Sequence, residues 1–223
     1  MTGRVRALIT AGATREPLDP VRFISNASTG AQGAALAGEA LARGWDVDLV
    51  HGHLEVGFKL LEMHLEADTT PGNVRLHPAP TARDMLEVCR RLHPSCDLLI
   101  GAAAVSDYTP REATLRKRKR DGSSWSLELV PTEDILLALR ESKGKRVHAG
   151  FALETEDMER NALRKLESKG LDWIVANGPE AIGGDASRYV LLGRGGVRQY
   201  LGLVTKAEVA RALLDALQPA IGR

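Results

Sequence analysis

The sequence predicts an α/β fold: a doubly wound, mostly parallel, Rossmann-like sheet with a β-hairpin flap and a small antiparallel extension. Three observations predict it. Apolar runs that read as buried strands (Val5 to Thr10, Leu98 to Ile100, Val147 to Phe151) alternate with segments of helical spacing. Polar residues gather just past the ends of those runs, where an open parallel sheet binds its ligands. The last two strand-like runs, Arg188 to Leu192 and Gln199 to Leu203, are joined too closely for a crossover and read as an antiparallel pair.

Size and charge narrow the function. A chain of 223 residues can bury one sizeable core, so a single domain over 1–223 is expected. Lys plus Arg total 30 against 29 Asp plus Glu, a net charge of +1, so no global basic field points to nucleic acid. Cys89 and Cys96 lack redox or zinc spacing and read as free thiols of a reducing cytosol. Met1 to Arg6 runs directly into the first strand without a signal-peptide core, and no long apolar span follows. A cytoplasmic protein with no membrane contact is the expectation.

Taken in order, the first strand ends near Thr10 and opens a long polar loop, Ala11 to Gly30. The turn reads Ala11-Gly12-Ala13-Thr14-Arg15, not the GxGxxG of a dinucleotide fingerprint, which weakens a nicotinamide or flavin reading. Gly12, Thr14, Arg15, Ser28, Thr29 and Gly30 are hydroxyl, cationic and backbone groups suited to a phosphate or acyl ligand. Gly30, Gly33, Ala34, Ala35 and Ala37 form a small-residue face, so a helix over 31–43 can pack close to the sheet.

Trp45 to His51 reads as the second strand. His51 and His53 share a face there, but no third metal ligand lies nearby, so the metal assignment stays unknown. Leu54 to Ala67 has helical spacing, and Val74 to His77 is a short strand. Thr81, with Asp84 three residues on, opens a capped helix to about His93. After Leu98 to Ile100, the chain becomes Gly101-Ala102-Ala103 and ends in Asp107. Backbone there can lie against a flat ring, and a carboxylate past a strand end can hold ribose hydroxyls; an ordinary turn Asp is the competing reading.

Arg116 to Arg120 is a basic run, followed by Asp121-Gly122 and Trp125 to Val130, which reads as a hairpin. Three roles stay open for it: a solvated edge strand, a nucleic-acid patch without an aromatic platform, or a flap bringing cations to a triphosphate. Pro131 to Leu136 reads as a helix start with Thr132 at the cap. Val147 to Phe151 ends in Gly150-Phe151, and Phe151 is either core or a stacking face for a base. The helix over 156–169 puts Lys165 and Lys169 one turn apart. Asp172 to Asn177 is a further strand, Gly183-Gly184-Asp185 a loop, and Thr205 caps a final helix to about Leu217.

Five stretches then carry a resemblance: Thr14 to Asn26 with Ser28-Thr29-Gly30, Ala102 to Tyr108, Lys117 to Arg120, Gly150 to Thr155, and Ile174 to Asn177. Together they closely resemble bacterial phosphopantothenate–cysteine ligase, the synthetase half of the bifunctional coenzyme A biosynthesis flavoprotein. The likeness runs over nearly the whole chain. With no flavin-binding decarboxylase half before it, the sequence reads as a stand-alone synthetase or an excised domain, without flavin.

The resemblance implies a CTP- and Mg2+-dependent ligase acting through an acyl-cytidylate. It implies catalytic roles for Lys117 (triphosphate charge), Asn26 (the intermediate) and Arg22 (the second half-reaction). It implies a nucleotide site of Gly101, Ala102, Ala103 and Asp107, completed by Glu133, Asp134, Ile135, Leu136, Phe151, Lys165 and Lys169. It also implies 4′-phosphopantothenate and cysteine as substrates, a homodimer whose two chains build each pocket, and a phosphopantothenoylcysteine decarboxylase as a separate partner. The chain departs from the family pattern at Ala31 and Gln32, at Thr132, at Gly178 and at Ser187. A catalytically silent nucleotide-binding paralogue is the alternative those departures motivate. A short-chain nicotinamide reductase is the other, but Tyr108, Tyr189 and Tyr200 all lack the Lys four residues on.

Overall fold

The computed structural model describes residues 3–55 and 71–221. The expected helix over 54–67 falls almost wholly outside them. The strands are β1 (Arg6–Ala11), β2 (Arg15–Pro17), β3 (Phe23–Ser25), β4 (Asp46–His51), β5 (Val74–Pro78), β6 (Leu98–Gly101), β7 (Tyr108–Pro110), β8 (Leu129–Pro131), β9 (Val147–Leu153), β10 (Trp173–Asn177), β11 (Ala186–Gly193) and β12 (Val197–Thr205). The helices are α1 (Ala31–Ala42), α2 (Ala82–Leu92), α3 (Ile135–Ala138), α4 (Met158–Ser168) and α5 (Lys206–Leu217).

Eight strands form one sheet in the order β12-β11-β10-β9-β6-β1-β4-β5. From β5 to β10 the pairing is parallel, and β11 and β12 add an antiparallel edge. β1 lies between β4 and β6, so the chain first winds outward to β5, then crosses back past β1 to continue through β6. That reversal is the switch point at which doubly wound sheets open a crevice.

Burial on both faces explains the apolar strands. Along β1, Ala7, Ile9 and Ala11 pack with Leu36, Leu41 and the inner face of α5, while Leu8 points the other way to Met85 and Leu99. The small-residue face of α1 is a steric need. A Cβ on Gly33 would lie 2.3 Å from the Cβ of Ala11, so only glycine lets α1 seat this closely on β1. Thr81 and Thr205 close capping boxes with Asp84 and Glu208, as the spacing predicts. Cys89 and Cys96 are free and buried, with burial pushing their thiols up to about 12 and about 11. Among the described residues no helix is long and apolar enough to cross a membrane.

Away from the crevice, at the start of β9, the buried His148 meets His93 with Nε2 atoms 2.9 Å apart. Burial lowers His93 to about 4, aided by Arg146, and His148 to about 3, aided by His93 itself. One Nε2–H donates to the other ring, so the pair works only while at least one ring is neutral.

Three local expectations differ from the structure. The long loop after β1 contains a small hairpin, β2 with β3, in place of irregular chain. The basic segment is paired at its base only: β7 runs antiparallel to β8, and Arg111 N–H donates to the Glu128 carbonyl at 2.9 Å. Beyond that, Arg116 to Arg120 and Trp125 to Ser126 form no strands, although the turn itself exists, with Gly122 at φ 81° and Asp121 accepting from Ser123. Five adjacent cations offer no apolar alternation to zip a ribbon against. The helix expected from Pro131 starts only at Ile135, with Asp134 as its cap accepting from Leu137 N–H at 3.0 Å. Thr132 is used elsewhere, donating its hydroxyl to the Ser106 carbonyl at 2.5 Å.

Candidate functional site

The crevice is built by the loops that follow β1, β4 and β6. Residues 12–14 are stitched on both sides. Ala13 and His53 exchange backbone bonds at 3.1 and 2.8 Å, while Ala104 N–H reaches the Gly12 carbonyl at 2.8 Å and Thr14 N–H reaches Ala104 at 3.2 Å. Gly12 holds φ 77°, and a Cβ there would lie 2.3 Å from the His53 carbonyl oxygen. Thr14 is fully buried, and its hydroxyl donates to Ser106 Oγ and accepts from the Ser106 N–H, so it braces two loops. Arg15 lays its guanidinium over Phe23, 4.4 Å from the ring centre.

Around this frame lie two adjoining cavities. The larger, of 430 Å³, is lined by Asn26, Ser28, Thr29, Ala102 and Ala103 and, across from them, Asn177 and Lys206. The smaller, of 210 Å³, is lined by Gly101, Glu133, Asp134, Ile135, Leu136, Lys165 and Lys169. Ala103, Val105, Asp107 and Phe151 line both. The structure thus brings together nearly all the residues expected at a nucleotide.

Individual contacts refine their roles. Asn26 Nδ2 donates to the Ala104 carbonyl at 3.0 Å, fixing its amide at the mouth. Ser28 and Thr29 hydroxyls make long contacts, 3.4 and 3.5 Å, to the Gly30 and Ala31 N–H groups. Gly30 precedes α1 at φ 79° and offers no side-chain cap, so beyond the long Thr29 contact to Ala31 the first turn of that helix has no side-chain acceptor. Gly101 and Gly150 are register partners, and a Cβ on either would meet Leu136 at 2.8 or 3.0 Å. Leu136 therefore rests on a floor of two glycines. Lys165 pairs with Glu154 and Lys169 with Asp134, each at 2.7 Å. Glu133 pairs with Arg90.

Arg22 and Lys117 lie apart from this crevice. They line a third cavity of 730 Å³ with Arg118, Lys119, Arg120 and Trp125. Arg22 is held by Asp19, whose carboxylate is buried at 4 % exposure. The Arg22 side chain, with backbone N–H donors behind it, holds the Asp19 carboxyl well below the usual carboxylate range. His51 uses Nδ1 on the Gly52 carbonyl, and no cluster of three or more His, Cys, Asp or Glu among the described residues could hold a metal.

Sequence reasoning missed Lys206 and Asp19. Lys206 lines the larger cavity, with its ammonium on the Gly184 carbonyl and its proton affinity lowered by burial. A cation in the first turn of a helix opposes the helix dipole, and that was the available signal. Asp19 stands three residues before Arg22, in a Pro-Leu-Asp-Pro turn.

Fold and site define an open, doubly wound α/β protein with a ligand crevice at its switch point. A sequence profile described as the DNA/pantothenate metabolism flavoprotein C-terminal domain matches residues 2–220, and the chain belongs to that family. It is 36 % identical over 214 residues to the coenzyme A biosynthesis bifunctional protein CoaBC of Bacillus subtilis, covering 94 % of this chain and 50 % of that protein. It is 37 % identical over 219 residues to a cysteine/cysteine sulfinic acid decarboxylase from an unknown prokaryotic organism, covering 96 % of this chain and 58 % of that one. The chain spans about half the length of the curated relatives it matches. The crystal structure of the C-terminal domain of a CoaBC superposes with a TM-score of 0.77 at 34 % identity, covering 96 % of this chain and 94 % of that one.

Proposed function

We propose that residues 1–223 act as one phosphopantothenate–cysteine ligase unit that uses CTP. The observation that carries this reading is the double cavity at the switch point. Asp107 and Phe151 line both halves, Asn26 with Ala31 and Gln32 of the first turn of α1 stand on one side, and Lys165 and Lys169 on the other. Its size and chemistry suit a nucleotide lying beside an acyl substrate.

The reaction needs two steps. A carboxylate oxygen of 4′-phosphopantothenate attacks the α-phosphorus of CTP, the bond to the β-phosphate oxygen breaks, and pyrophosphate leaves. The cysteine amine then attacks the acyl carbon, loses a proton, and expels CMP. The first step joins two anions, so cations must offset charge at the α-phosphate. Lys117 is proposed for that task, and Asn26 is proposed to hold the acyl-cytidylate. Asp107 is proposed to accept from ribose hydroxyls, Phe151 to stack on the base, and backbone of Gly101 to Ala103 to read the cytosine edge. Mg2+ is proposed to ride on the triphosphate, where it commonly keeps waters and needs few protein ligands. Lys165 and Lys169, already paired with carboxylates, are proposed to tune the site as ion pairs.

The separation of Lys117 from the crevice supports a homodimer in which a second copy's basic segment reaches the nucleotide. A decarboxylase, on the same longer chain or a separate one, is the proposed consumer of the product. The direct test is mass spectrometry of protein incubated with 4′-phosphopantothenate, CTP and Mg2+ but no cysteine, using Asn26→Asp to slow breakdown. A phosphopantothenoyl-cytidylate is the expected species. Its absence from both wild type and variant, with folded protein, would favour the silent paralogue.

A further inference from the structure

The Nε and Nη2 groups of Arg22 are committed within the protein. Its Nε donates to Asp19 Oδ2 at 2.9 Å, and its Nη2 donates to the same oxygen and to the Arg118 carbonyl, the latter at 2.8 Å. The other Asp19 oxygen accepts from the N–H groups of Val21 and Arg22, both at 2.9 Å. Arg118 N–H reaches back to Asp19 Oδ2 at 3.4 Å. The Arg22 and Arg118 guanidinium groups each lie over the Trp125 ring, 4.9 and 5.0 Å from its centre. Nearby, Thr114 N–H donates to the Leu18 carbonyl at 3.0 Å. So both backbone groups of Arg118 are tied, one to Asp19 and one to Arg22. Residues 111–128 otherwise have no strand or helix to hold them.

We propose that Asp19 is a positioning residue and that Arg22 acts with it: the pair clamps the backbone of Arg118 and so sets where the neighbouring Lys117 presents its ammonium. This deepens the ligase reading and rests on it for the consequence in turnover. The clamp itself does not. Asp19 is buried and cannot touch substrate, while its removal would release the one segment that carries five consecutive cations. Arg is needed because a planar fork can serve a carboxylate and a carbonyl at once, whereas lysine offers a point charge.

The test has two arms on the full chain, with Asp19→Asn, Arg22→Lys and the double variant. In the first, ligand-free protein is digested briefly with trypsin, and cuts after residues 116–120 are mapped by mass and compared with cuts after Arg160, an exposed arginine on α4. The expected result is that each variant raises cutting in the run by about tenfold relative to Arg160, as loss of charge-assisted hydrogen bonds would. Unchanged relative cutting in both single variants overturns the clamp, whatever the protein catalyses. The second arm measures pyrophosphate release against CTP concentration. The expected result is a similar fall in kcat/KM for both singles and no further fall in the double, because the two residues act as a unit. Additive losses would mean that Arg22 meets the ligand independently, and would overturn the proposal. Circular dichroism melting sets aside any variant that fails to fold, and Trp125→Ala, which removes the shared ring and keeps both charges, is then expected to raise cutting in the run in its place. An unchanged cut in Trp125→Ala would count against the clamp.

Discussion

The crevice and the basic segment are held by different means. The crevice is framed by strands β1 and β6, stitched by four short backbone bonds around residues 12–14, and floored by paired glycines. The basic segment carries five adjacent cations, yet is fixed by a three-residue base ladder, the Thr114–Leu18 backbone bond and one buried carboxylate. A sheet can preorganise backbone and small side chains at little cost. Five adjacent positive charges repel one another, and placing them permanently in a closed site would be expensive without an anion. The molecule therefore frames its crevice with sheet and carries its densest charge on a tethered arm.

Breaking the arm should leave folding intact and damage the chemistry most. Lys117→Gln is expected to lower pyrophosphate release by about a hundredfold or more, the usual scale for a lost transition-state charge partner, with an unchanged melting temperature. An unchanged rate would remove Lys117 from the site. Breaking the crevice should show first in binding. Phe151→Ala is expected to raise KM for CTP about tenfold, as loss of a stacking face does, with a smaller change in kcat. An equal rise in KM for phosphopantothenate would contradict that division. Crowding the frame should cost stability. Gly33→Ala forces a Cβ against Ala11 and is expected to lower the melting temperature by about 3–10 °C, as overpacking does in a chain of this size.

The smallest effect concerns neither region and serves as a control. Both His93 and His148 bind protons more weakly when folded than their ordinary value of 6.5. The unfolded chain then holds more protons, so stability is full above about pH 6.5 and falls as pH drops toward 4. His148→Phe is expected to flatten that slope in urea titrations at pH 4 to 7 while leaving KM for CTP unchanged at pH 7.5. A slope as steep as wild type would place the acid sensitivity elsewhere.

Much of this was legible before any coordinates. Buried strands announced themselves because both faces of a parallel sheet are covered, and Thr81 marked its helix through a capping box with Asp84. Asp107 and Phe151, which line both cavities, stood out because one follows β6 and the other lies near the carboxyl end of β9. The β2–β3 hairpin could not, since three-residue strands holding Pro17 carry no usable alternation. The ribbon was overextended because Asp121-Gly122 reports a turn and says nothing about how far its arms pair. Asp19 and Lys206 act through tertiary contacts, with Arg118 and Gly184 respectively, and sequence spacing does not encode those.

The measurement that tests the central claim most directly is pyrophosphate release with 4′-phosphopantothenate, cysteine and Mg2+, with CTP and ATP in parallel. The account predicts release with CTP that requires phosphopantothenate and leaves ATP far behind. Release with ATP alone would overturn the cytosine assignment to Gly101–Ala103, and no release with either nucleotide from folded protein would contradict the ligase itself.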